Sequence, residues 1–323
     1  MIEKPIIYID GLNVFMRHFA ANPSKSLNGQ LCGGIIGFLG NIDHLARKFK
    51  PRNIVVAWEG GGSLRRRSID KNYKNGRRPV RLNRSHYYSG DIPDTEENRN
   101  YQLKTLVEIL YKTPVTQIYV NDCEADDVIS YLVKTKKEKI NKIIVTSDKD
   151  YYQLLDEYTK IWSPNKKQLI DAEYVLGKWQ ISARNFCLSR CFVGDQSDGL
   201  AGVKGAGFKS MAKRFPVLSL DEDVTIDDII NVSQNKVNSG CKIKLFEHII
   251  ENETNIRKNW KLMYLDSLML SADQIKKINY QLDNKESKIN KMDLYKIINR
   301  EGLNTFDIHS FFISIKSSLR NSI

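Results

Sequence analysis

The stretch IIYIDGLN at residues 6–13 runs from four apolar residues directly into an acid and a glycine. Three later runs share this apolar character and also precede acids: Ile54 to Trp58, Gln117 to Val120 and Lys142 to Thr146. Nearly continuous Ile, Val and Tyr without polar alternation is typical of strands that are buried on both faces of a parallel sheet. Helical stretches separate the runs, at 34–49, 94–111 and 125–139. The alternation predicts an α/β fold with a doubly wound, mostly parallel sheet over roughly the first 180 residues.

The remainder of the chain has a helical pattern and no recognisable repeat. Candidate helices span 182–192, 209–215, 243–265 and 307–319. The segment from Asp221 to Gly240 is polar and rich in turn-forming residues, which predicts an exposed connection. A chain of 323 residues is long enough for one main domain and a smaller one, so we predict a division into residues 1–180 and 181–323.

The composition is that of a basic globular protein, with 50 Lys and Arg against 38 Asp and Glu. This excess favours a polyanionic partner such as nucleic acid, although a merely soluble basic protein has the same charge. No apolar run approaches the roughly 18 residues of a membrane span, and the first ten residues lack the pattern of a signal peptide. We therefore expect a cytoplasmic protein without membrane contacts. The five cysteines are irregularly spaced, which favours small buried side chains over a zinc site.

An acid lies at or just after the end of each of the four apolar runs. The acids are Asp10, Glu59, Glu124, and the pair Asp148 and Asp150. In an open α/β sheet, ligands bind in the crevice beyond the carboxyl ends of the strands. Carboxylates that meet there raise each other's pKa and destabilise the fold unless a positive charge lies between them. Because oxygen ligands suit Mg²⁺ and Mn²⁺, the pattern predicts a metal site.

Each acid, taken alone, also has a structural explanation. Glu124, with its neighbours in EADDVISYL, begins a candidate helix, where the helix dipole favours acids. Asp148 and Asp150 could cap the following turn, and Asp10 could be a turn residue before Gly11. These explanations do not account for the delivery of acids by four separate strands to one edge, so we favour the metal site.

Two other phosphate-handling motifs are excluded by single positions. A phosphatase of the haloacid-dehalogenase type needs a second Asp two residues after the first, where this chain has Leu12. The run GVKGAGFKS at residues 202–210 nearly matches a Walker A loop, but Phe208 stands where the lysine must be. No convincing Ser–His–Asp or Cys–His set is present either.

The motifs DGLN, EADD, TSDKDYYQLL and GDQSDGLAGVKGAGFKSMAKRF, in this order, resemble the successive blocks of the 5′-nuclease superfamily. The similarity extends from residue 1 to about residue 215 and is greatest to bacteriophage RNase H/flap endonucleases and bacterial 5′→3′ exonuclease domains. It implies a PIN-like nuclease domain, a helix-three-turn-helix module at about 186–215, and hydrolysis with two Mg²⁺ ions, for which Mn²⁺ can substitute. The implied metal ligands are Asp10, Glu59, Glu124, Asp126, Asp127, Asp148, Asp150 and Asp195, with Asp198 as an outer or water-mediated member. Glu59 departs from the family pattern, which usually has Asp at this position.

A basic segment between Leu64 and Arg84 carries nine Lys and Arg residues and one acid. Such a run is often only a solvated face, but this one follows Glu59 and three glycines and includes tyrosines, as platforms for single strands do. It resembles the arch of the family, at about 60–98, and YKNGR implies that Lys74 and Arg77 act in catalysis at the scissile phosphate. The nucleic-acid-binding residues expected in this segment are Arg65, Arg66, Arg67, Tyr73 and Arg78.

The glycine-rich run after GDQSDG predicts a turn whose N–H groups and following helix hold a DNA phosphate. The residues expected to bind nucleic acid there are Gly202, Lys204, Gly205, Gly207, Lys209 and Lys213. The resemblance also makes this turn a candidate site for K⁺.

The resulting hypothesis is a structure-dependent 5′-nuclease that acts on 5′ flaps, nicked duplexes or RNA primers during replication in a phage-infected or bacterial cell. Its expected partners are DNA and RNA–DNA hybrids with 5′ ends or flaps, and replication proteins such as a single-strand-binding protein; we expect a monomer. Two alternatives are a PIN-type endoribonuclease and a DNA-binding protein that has lost catalysis. The first is typically shorter and lacks the basic arch and glycine block, and the intact acids argue against the second.

Overall fold

The computed structural model describes residues 4–75, 95–135, 139–266, 269–284 and 290–319. Its strands are β1 Ile6–Asp10, β2 Asn53–Trp58, β3 Thr116–Tyr119, β4 Lys142–Val145, β5 Thr159–Ser163 and β6 Gln168–Ile170. They form one sheet in the order β3-β2-β1-β4-β5-β6. The first five strands pair in parallel, and β6 alone is antiparallel to its neighbour. The predicted mostly parallel sheet is therefore confirmed, whereas β5 and β6, which mix apolar with polar residues, were not predicted.

Helices separate and follow these strands. Within the described residues they are α1 Gly11–Ala21, α2 Gly33–Phe49, α3 Leu64–Ile69, α4 Thr95–Tyr111, α5 Ala125–Thr135, α6 Ala172–Trp179, α7 Ala183–Val193, α8 Phe208–Arg214, α9 Ile226–Asn238, α10 Lys244–Glu251, α11 Glu253–Met263, α12 Ala272–Asp283, α13 Lys291–Arg300 and α14 Ile308–Leu319. None of the helices in this part of the chain is long and apolar enough to cross a membrane.

The sheet has an apolar core on each face, because successive strand residues point to opposite sides. On the first face, Tyr8 and Ile144 pack in a cluster with residues of α5, α7 and the helices up to α12. On the second face, Ile9 and Val145 pack in a cluster with residues of α1, α2 and α4. Burial on both sides explains why these strands lack polar alternation, and it confirms the doubly wound arrangement.

The last two helices complete the core of the second face. Leu294 of α13 and Phe311 of α14 belong to the same apolar cluster as α2. Polar contacts support this packing, since Ser314 Oγ donates to Asp43 Oδ1 at 2.5 Å and Arg47 donates to Ser310. These two helices therefore pack with the predicted nuclease domain, although they stand at the end of the chain.

Two predictions for the helical region were wrong. The segment from Asp221 to Gly240 is not only a connection, because it contains α9, whose Thr225 and Asp228 form a reciprocal capping box. The buried positions of α9 follow the helical period, and the abundance of polar residues hid them. The helix expected over 243–265 is interrupted at Asn252, whose side chain donates to the His248 carbonyl and ends α10 before α11 begins.

Candidate functional site

The strand order places a crevice at the carboxyl edge of the sheet. The chain proceeds from β1 through β2 to β3 on one side and then returns to β4 on the other side of β1. The carboxyl end of β1 is therefore a topological switch point, where ligands bind in open α/β sheets. Asp10 is the last residue of β1, Glu59 follows β2, and Asp148 is the third residue after β4. The predicted convergence of the strand-end acids has its geometric basis here.

Asp10 lies at the centre of this edge and caps α1. Its side chain accepts hydrogen bonds from the Asn13 N–H at 3.2 Å and the Tyr151 hydroxyl at 3.2 Å. Burial, with the nearby carboxylates of Asp148 and Asp126, raises the pKa of Asp10 to about 7. Asp10 is therefore a helix cap rather than a simple turn residue. Its surroundings disfavour the ionised form of its carboxyl group.

The acids at the start of α5 surround one buried arginine. Arg66 donates to Glu124 at 2.5 Å, to Asp126 at 3.0 Å and to Asp127 at 2.8 Å. Its side chain is only 1% exposed. Although burial disfavours its charge, the three carboxylates raise the pKa of Arg66 well above its usual value. The prediction that Arg66 binds nucleic acid was wrong, because its guanidinium is enclosed and bonded to these acids.

The same group of acids is not fully neutralised by Arg66. Burial and the carboxylates of Asp126 and Glu124 outweigh Arg66 at Asp127, so the pKa of Asp127 rises to about 7. At Asp126 the burial effect is outweighed by Arg66 and Lys74, so its pKa is lowered. Arg66 therefore favours the ionised form of both aspartates, but it offsets burial and repulsion only at Asp126.

A second arginine joins the acids after β4 to the GDQSDG loop. Arg190 of α7 donates to Asp150 at 2.7 Å and to Asp195 at 2.5 Å. Burial and the adjacent Asp148 raise the pKa of Asp150 to about 7, despite this arginine. Arg190 was not among the predicted site residues. The sequence feature that could have indicated it is the position of this arginine inside the otherwise mostly apolar helical run FCLSRCF.

Glu59 follows β2 and is partly buried, and the charge of nearby Lys74 only partly offsets the repulsion around it. Within the described part of the chain its carboxylate forms no hydrogen bond or ion pair, so it does not pair with Arg65, Arg66 or Arg67. Burial, followed by repulsion from Asp10 and other carboxylates, raises the pKa of Glu59 to about 8. A carboxylate in this state is stabilised by any cation that enters the crevice.

Electrostatic repulsion connects the predicted metal ligands into one network. Burial, together with the charges of Asp126 and Asp198, raises the pKa of Asp148, and Asp148 in turn acts on Asp10 and Asp150. Through these links and those of Glu59, all nine predicted metal ligands form one network. We call this set the carboxylate network: Asp10, Glu59, Glu124, Asp126, Asp127, Asp148, Asp150, Asp195 and Asp198.

The carboxylate network fits divalent cations in its chemistry. Arg66, Lys74 and Arg190 contact it, which leaves many more acids than cations. Its donors are all oxygen, the ligand type that Mg²⁺ and Mn²⁺ prefer. Among the described residues, however, no three acids, histidines or cysteines lie close enough together to hold one ion. The arginines draw several carboxylates toward themselves, so metal binding requires these side chains to reorient.

The end of the basic segment lies over the carboxylate network. Lys74 Nζ donates to Glu124, and the Lys74 N–H donates to the Asp198 carbonyl at 3.3 Å. Tyr73 is only 7% exposed, so the prediction that it offers a stacking surface to nucleic acid was wrong. Its ring instead lies 5.0 Å below the Lys74 ammonium. The predicted residues Arg77 and Arg78 lie outside the described residues.

The two remaining arginines of α3 have different surroundings. Arg65 is partly exposed and donates to the Lys261 carbonyl at 3.0 Å, which ties α3 to α11. Arg67 is exposed, and its one hydrogen bond to a described residue is long, 3.4 Å, to the Gly62 carbonyl. Of the three consecutive arginines, Arg67 is therefore the most available to a phosphate.

The glycine-rich turn joins α7 to α8 and exposes its lysines. Gly205 has a φ of +86°, a conformation that favours glycine. A side chain at Gly202 would clash with the Val193 carbonyl, and Gly207 immediately precedes α8. Exposed lysines line this region at positions 204, 209 and 213. Phe208 packs against Phe186 with ring centroids 5.1 Å apart, so it anchors α8 in the core instead of binding phosphate.

Comparison with known proteins agrees with this geometry. The family model described as 5′-3′ exonuclease, N-terminal resolvase-like domain, matches residues 5–180. Similar proteins include the DNA polymerase I of Caldicellulosiruptor bescii, 28% identical over 307 residues, and a 5′-3′ exonuclease of Aquifex aeolicus, 24% identical over 299 residues. These alignments cover 92% and 91% of this chain, and 34% and 90% of the respective relatives, so the chain spans about a third of the polymerase.

A solved structure shares the fold. The flap endonuclease of bacteriophage T5, in a pseudo-enzyme–product complex with DNA and metal ions, matches with a TM-score of 0.63 at 19% identity. The match covers 92% of this chain and 97% of the phage protein. It therefore includes the helices after the sheet as well as the α/β region.

Proposed function

This chain belongs to the 5′-3′ exonuclease family, and on that premise we propose that it is a structure-dependent 5′-nuclease using divalent metal ions. The observation that carries the proposal is the carboxylate network at the switch point of the sheet. Its acids come from separate strands and helices, and several have pKa values raised to about 7 or 8. A structural role alone does not explain why the fold tolerates this repulsion, whereas a cation site does.

We propose Mg²⁺ as the natural ion, with Mn²⁺ as a substitute. The residues that would hold it are those of the carboxylate network, with Asp198 in an outer position. Two bound ions would supply an activated water and stabilise the departing oxygen of a phosphodiester. Glu59 supports this assignment because it is partly buried yet forms no ion pair among the described residues, and the charge of Lys74 does not outweigh the repulsion around it.

The protein's own cations would position the nucleic acid. Lys74 already contacts Glu124 above the carboxylate network, so it is placed to meet a phosphate that enters the crevice. Arg67 and the exposed lysines of the glycine-rich turn offer further phosphate contacts on either side. The substrates proposed are DNA flaps, nicked duplexes and RNA-primed duplexes, and K⁺ is a candidate ligand of the glycine-rich turn.

The first prediction concerns Asp148→Asn. We expect this change to lower the single-turnover cleavage rate by at least about 100-fold, as for the loss of a ligand to a catalytic ion. DNA affinity should stay the same or increase, because the lost carboxylate repels phosphate. Labelled 5′-flap, nicked and RNA-primed substrates are cleaved side by side with Mg²⁺ and with EDTA, and binding is measured separately.

The matched control is Asp283→Asn, which removes an exposed acid of α12 without altering cleavage. Cleavage by Asp148→Asn at the parental rate would show that the site is misassigned. Mg²⁺-independent cleavage by the parental protein would contradict the proposed use of divalent ions. The relative rates on the three substrates identify which class the enzyme prefers.

A further inference from the structure

A second cleft lies at the amino edge of the sheet, on the face that carries α5 and α7. Its volume is about 1200 Å³. The start of β4 contributes Lys142, and α11 contributes Trp260 and Lys261. The ends of α5, α6, α7 and α9 also line it, with parts of the segments 153–158 and 219–224. Lys142 is the first residue of β4, whereas Asp148 lies beyond its last residue, Val145, so this cleft is separate from the carboxylate network.

Lys142 contributes a positively charged side chain to the lining of this cleft. It is 4% exposed, and within the described part of the chain its ammonium has no hydrogen bond or ion pair. Its ammonium keeps contact with the cleft, since among the described residues Nζ is not one of the fully buried side-chain atoms without a partner. An anion that enters the cleft can therefore pair with Lys142 where screening by water is weaker than in bulk solvent.

Three helices also begin at the cleft. The first residues of α6, α7 and α9, which are Ala172, Ala183 and Ile226, all line it. Each helix has at least eight residues, and the partial positive charge at a helix N-terminus favours an anion. Side chains already cap the three helices, namely Asp171, Ser182 and Thr225, so the helix ends add only a weak attraction to that of Lys142.

The acids near the cleft do not neutralise Lys142. Asp221 and Asp223 accept hydrogen bonds from Arg184, and Asp227 pairs with Arg257. The remaining acidic side chains are exposed to solvent, at positions 156, 157 and 173. The lysine therefore stays available to a ligand although the rim carries both signs of charge.

One wall of the cleft is aromatic. The rings of Trp260 and Tyr264 stack with centroids 4.4 Å apart and an interplanar angle of 14°. Lys134 Nζ lies 5.0 Å from the centre of the Tyr264 ring and donates to the Leu265 carbonyl. An aromatic wall beside a buried cation suits a ligand that has both a planar ring and an anionic group.

We propose that this cleft binds a nucleoside 5′-monophosphate, with the phosphate at Lys142 and the base against Trp260. The anion site itself stands on the geometry alone. The choice of a nucleotide rests on the proposed function, because cleavage that releases the 3′ oxygen leaves a phosphate on the 5′ carbon of the product. The cleft would then be a product site outside the carboxylate network.

The test is isothermal titration of the full chain in EDTA, which excludes binding through metal ions. The probes are deoxyadenosine 5′-monophosphate, inorganic phosphate and deoxyadenosine. The nucleotide should bind with one site per chain and at least about 10-fold more tightly than either fragment. Lys142→Met should weaken nucleotide binding at least about 10-fold, whereas the exposed control Lys276→Met leaves it unchanged.

Trp260→Leu tests the contribution of the base to binding separately from that of the phosphate. It should reduce the preference for nucleotide over inorganic phosphate while binding of inorganic phosphate is retained. Thermal unfolding of each variant identifies any that does not fold, and Lys142→Gln then replaces Lys142→Met. Absence of nucleotide binding, or equal binding by folded Lys142 and Lys276 variants, would overturn the proposal. A nucleotide that binds no better than phosphate overturns the nucleotide as the ligand. Because no cleavage is measured, these outcomes are independent of the proposed nuclease activity.

Discussion

Adjacent arginines in the basic segment have opposite roles. Arg66 is enclosed and donates to three carboxylates, whereas Arg67 is exposed. Ser63 caps α3 by accepting from the Arg66 N–H, which sets the start of the helix and turns Arg66 toward the acids of α5. The charge of this segment indicated polyanion binding, but one of its cations is an internal counterion. We therefore expect the two arginines to differ sharply in their contribution to stability.

Arg66→Met should lower the free energy of unfolding by about 3–5 kcal/mol, because removing one partner leaves buried carboxylates uncompensated. The matched change Arg67→Met should alter it by less than about 0.5 kcal/mol, as for an exposed side chain away from such features. Urea unfolding in EDTA at pH 7 measures both variants. Equal effects of the two changes would contradict the internal role of Arg66.

Among the elements, α12 protects the exposed edge of the sheet at β3. The Gln281 side chain accepts from the Tyr119 N–H at 2.8 Å and donates to the Tyr119 carbonyl at 3.0 Å. Its amide thus pairs with the strand as a further strand would. Unpaired edge groups favour association with other chains, so this pairing also protects the protein from aggregation.

Gln281→Ala should destabilise the protein by about 1 kcal/mol, the net contribution expected for exposed hydrogen bonds of this kind. Alanine is the better helix former, so a loss of stability reports on the lost pairing and not on helix propensity. Lys276→Ala, at an exposed position of the same helix, serves as the control. Denaturant unfolding at several protein concentrations gives the stability, and unchanged stability in Gln281→Ala would show that the edge does not need this contact.

At the scale of the whole molecule, positive and negative charges are unevenly distributed. The chain has a net charge of +12, yet nine of its 38 acidic residues form the carboxylate network. In the folded protein the pKa values of Asp10, Asp127 and Asp150 are about 7, and that of Glu59 is about 8. In an unfolded chain such groups titrate near pH 4. The folded, metal-free protein therefore binds more protons than the unfolded chain between these values.

This difference makes the metal-free protein less stable as pH rises from 6.5 to 8, because stability falls where the folded state binds more protons. Below pH 6.5 the partly buried His18, with its pKa lowered to about 4, acts in the opposite direction. In EDTA, Tm should therefore be lower at pH 8 than at pH 6.5, and saturating Mg²⁺ should reduce the difference. Glu59→Gln should also reduce it. A Tm that is independent of pH in EDTA would show that the carboxylates do not repel one another in the folded protein.

The sequence by itself determined the four central strands and the acids at their carboxyl ends, since an apolar run followed by an acid is a local pattern. It also indicated the glycine-rich turn, whose conformation depends on the residue type at Gly205. Helix α9 was hidden because its apolar face is narrow and becomes evident only when packed. The local sequence pattern was therefore sufficient to predict the central strands of the fold and the residue types of its site.

Only the tertiary structure decided which cations meet these acids. Arg66 and Glu124 are 58 residues apart in sequence, and Arg190 and Asp150 are 40 apart. The sequence pattern of a basic run is the same whether a side chain points to solvent or to buried carboxylates, because charge is local while burial depends on packing between distant elements. For the same reason, nothing in the sequence around Lys142 indicated that its ammonium would line a cleft at the opposite edge of the sheet.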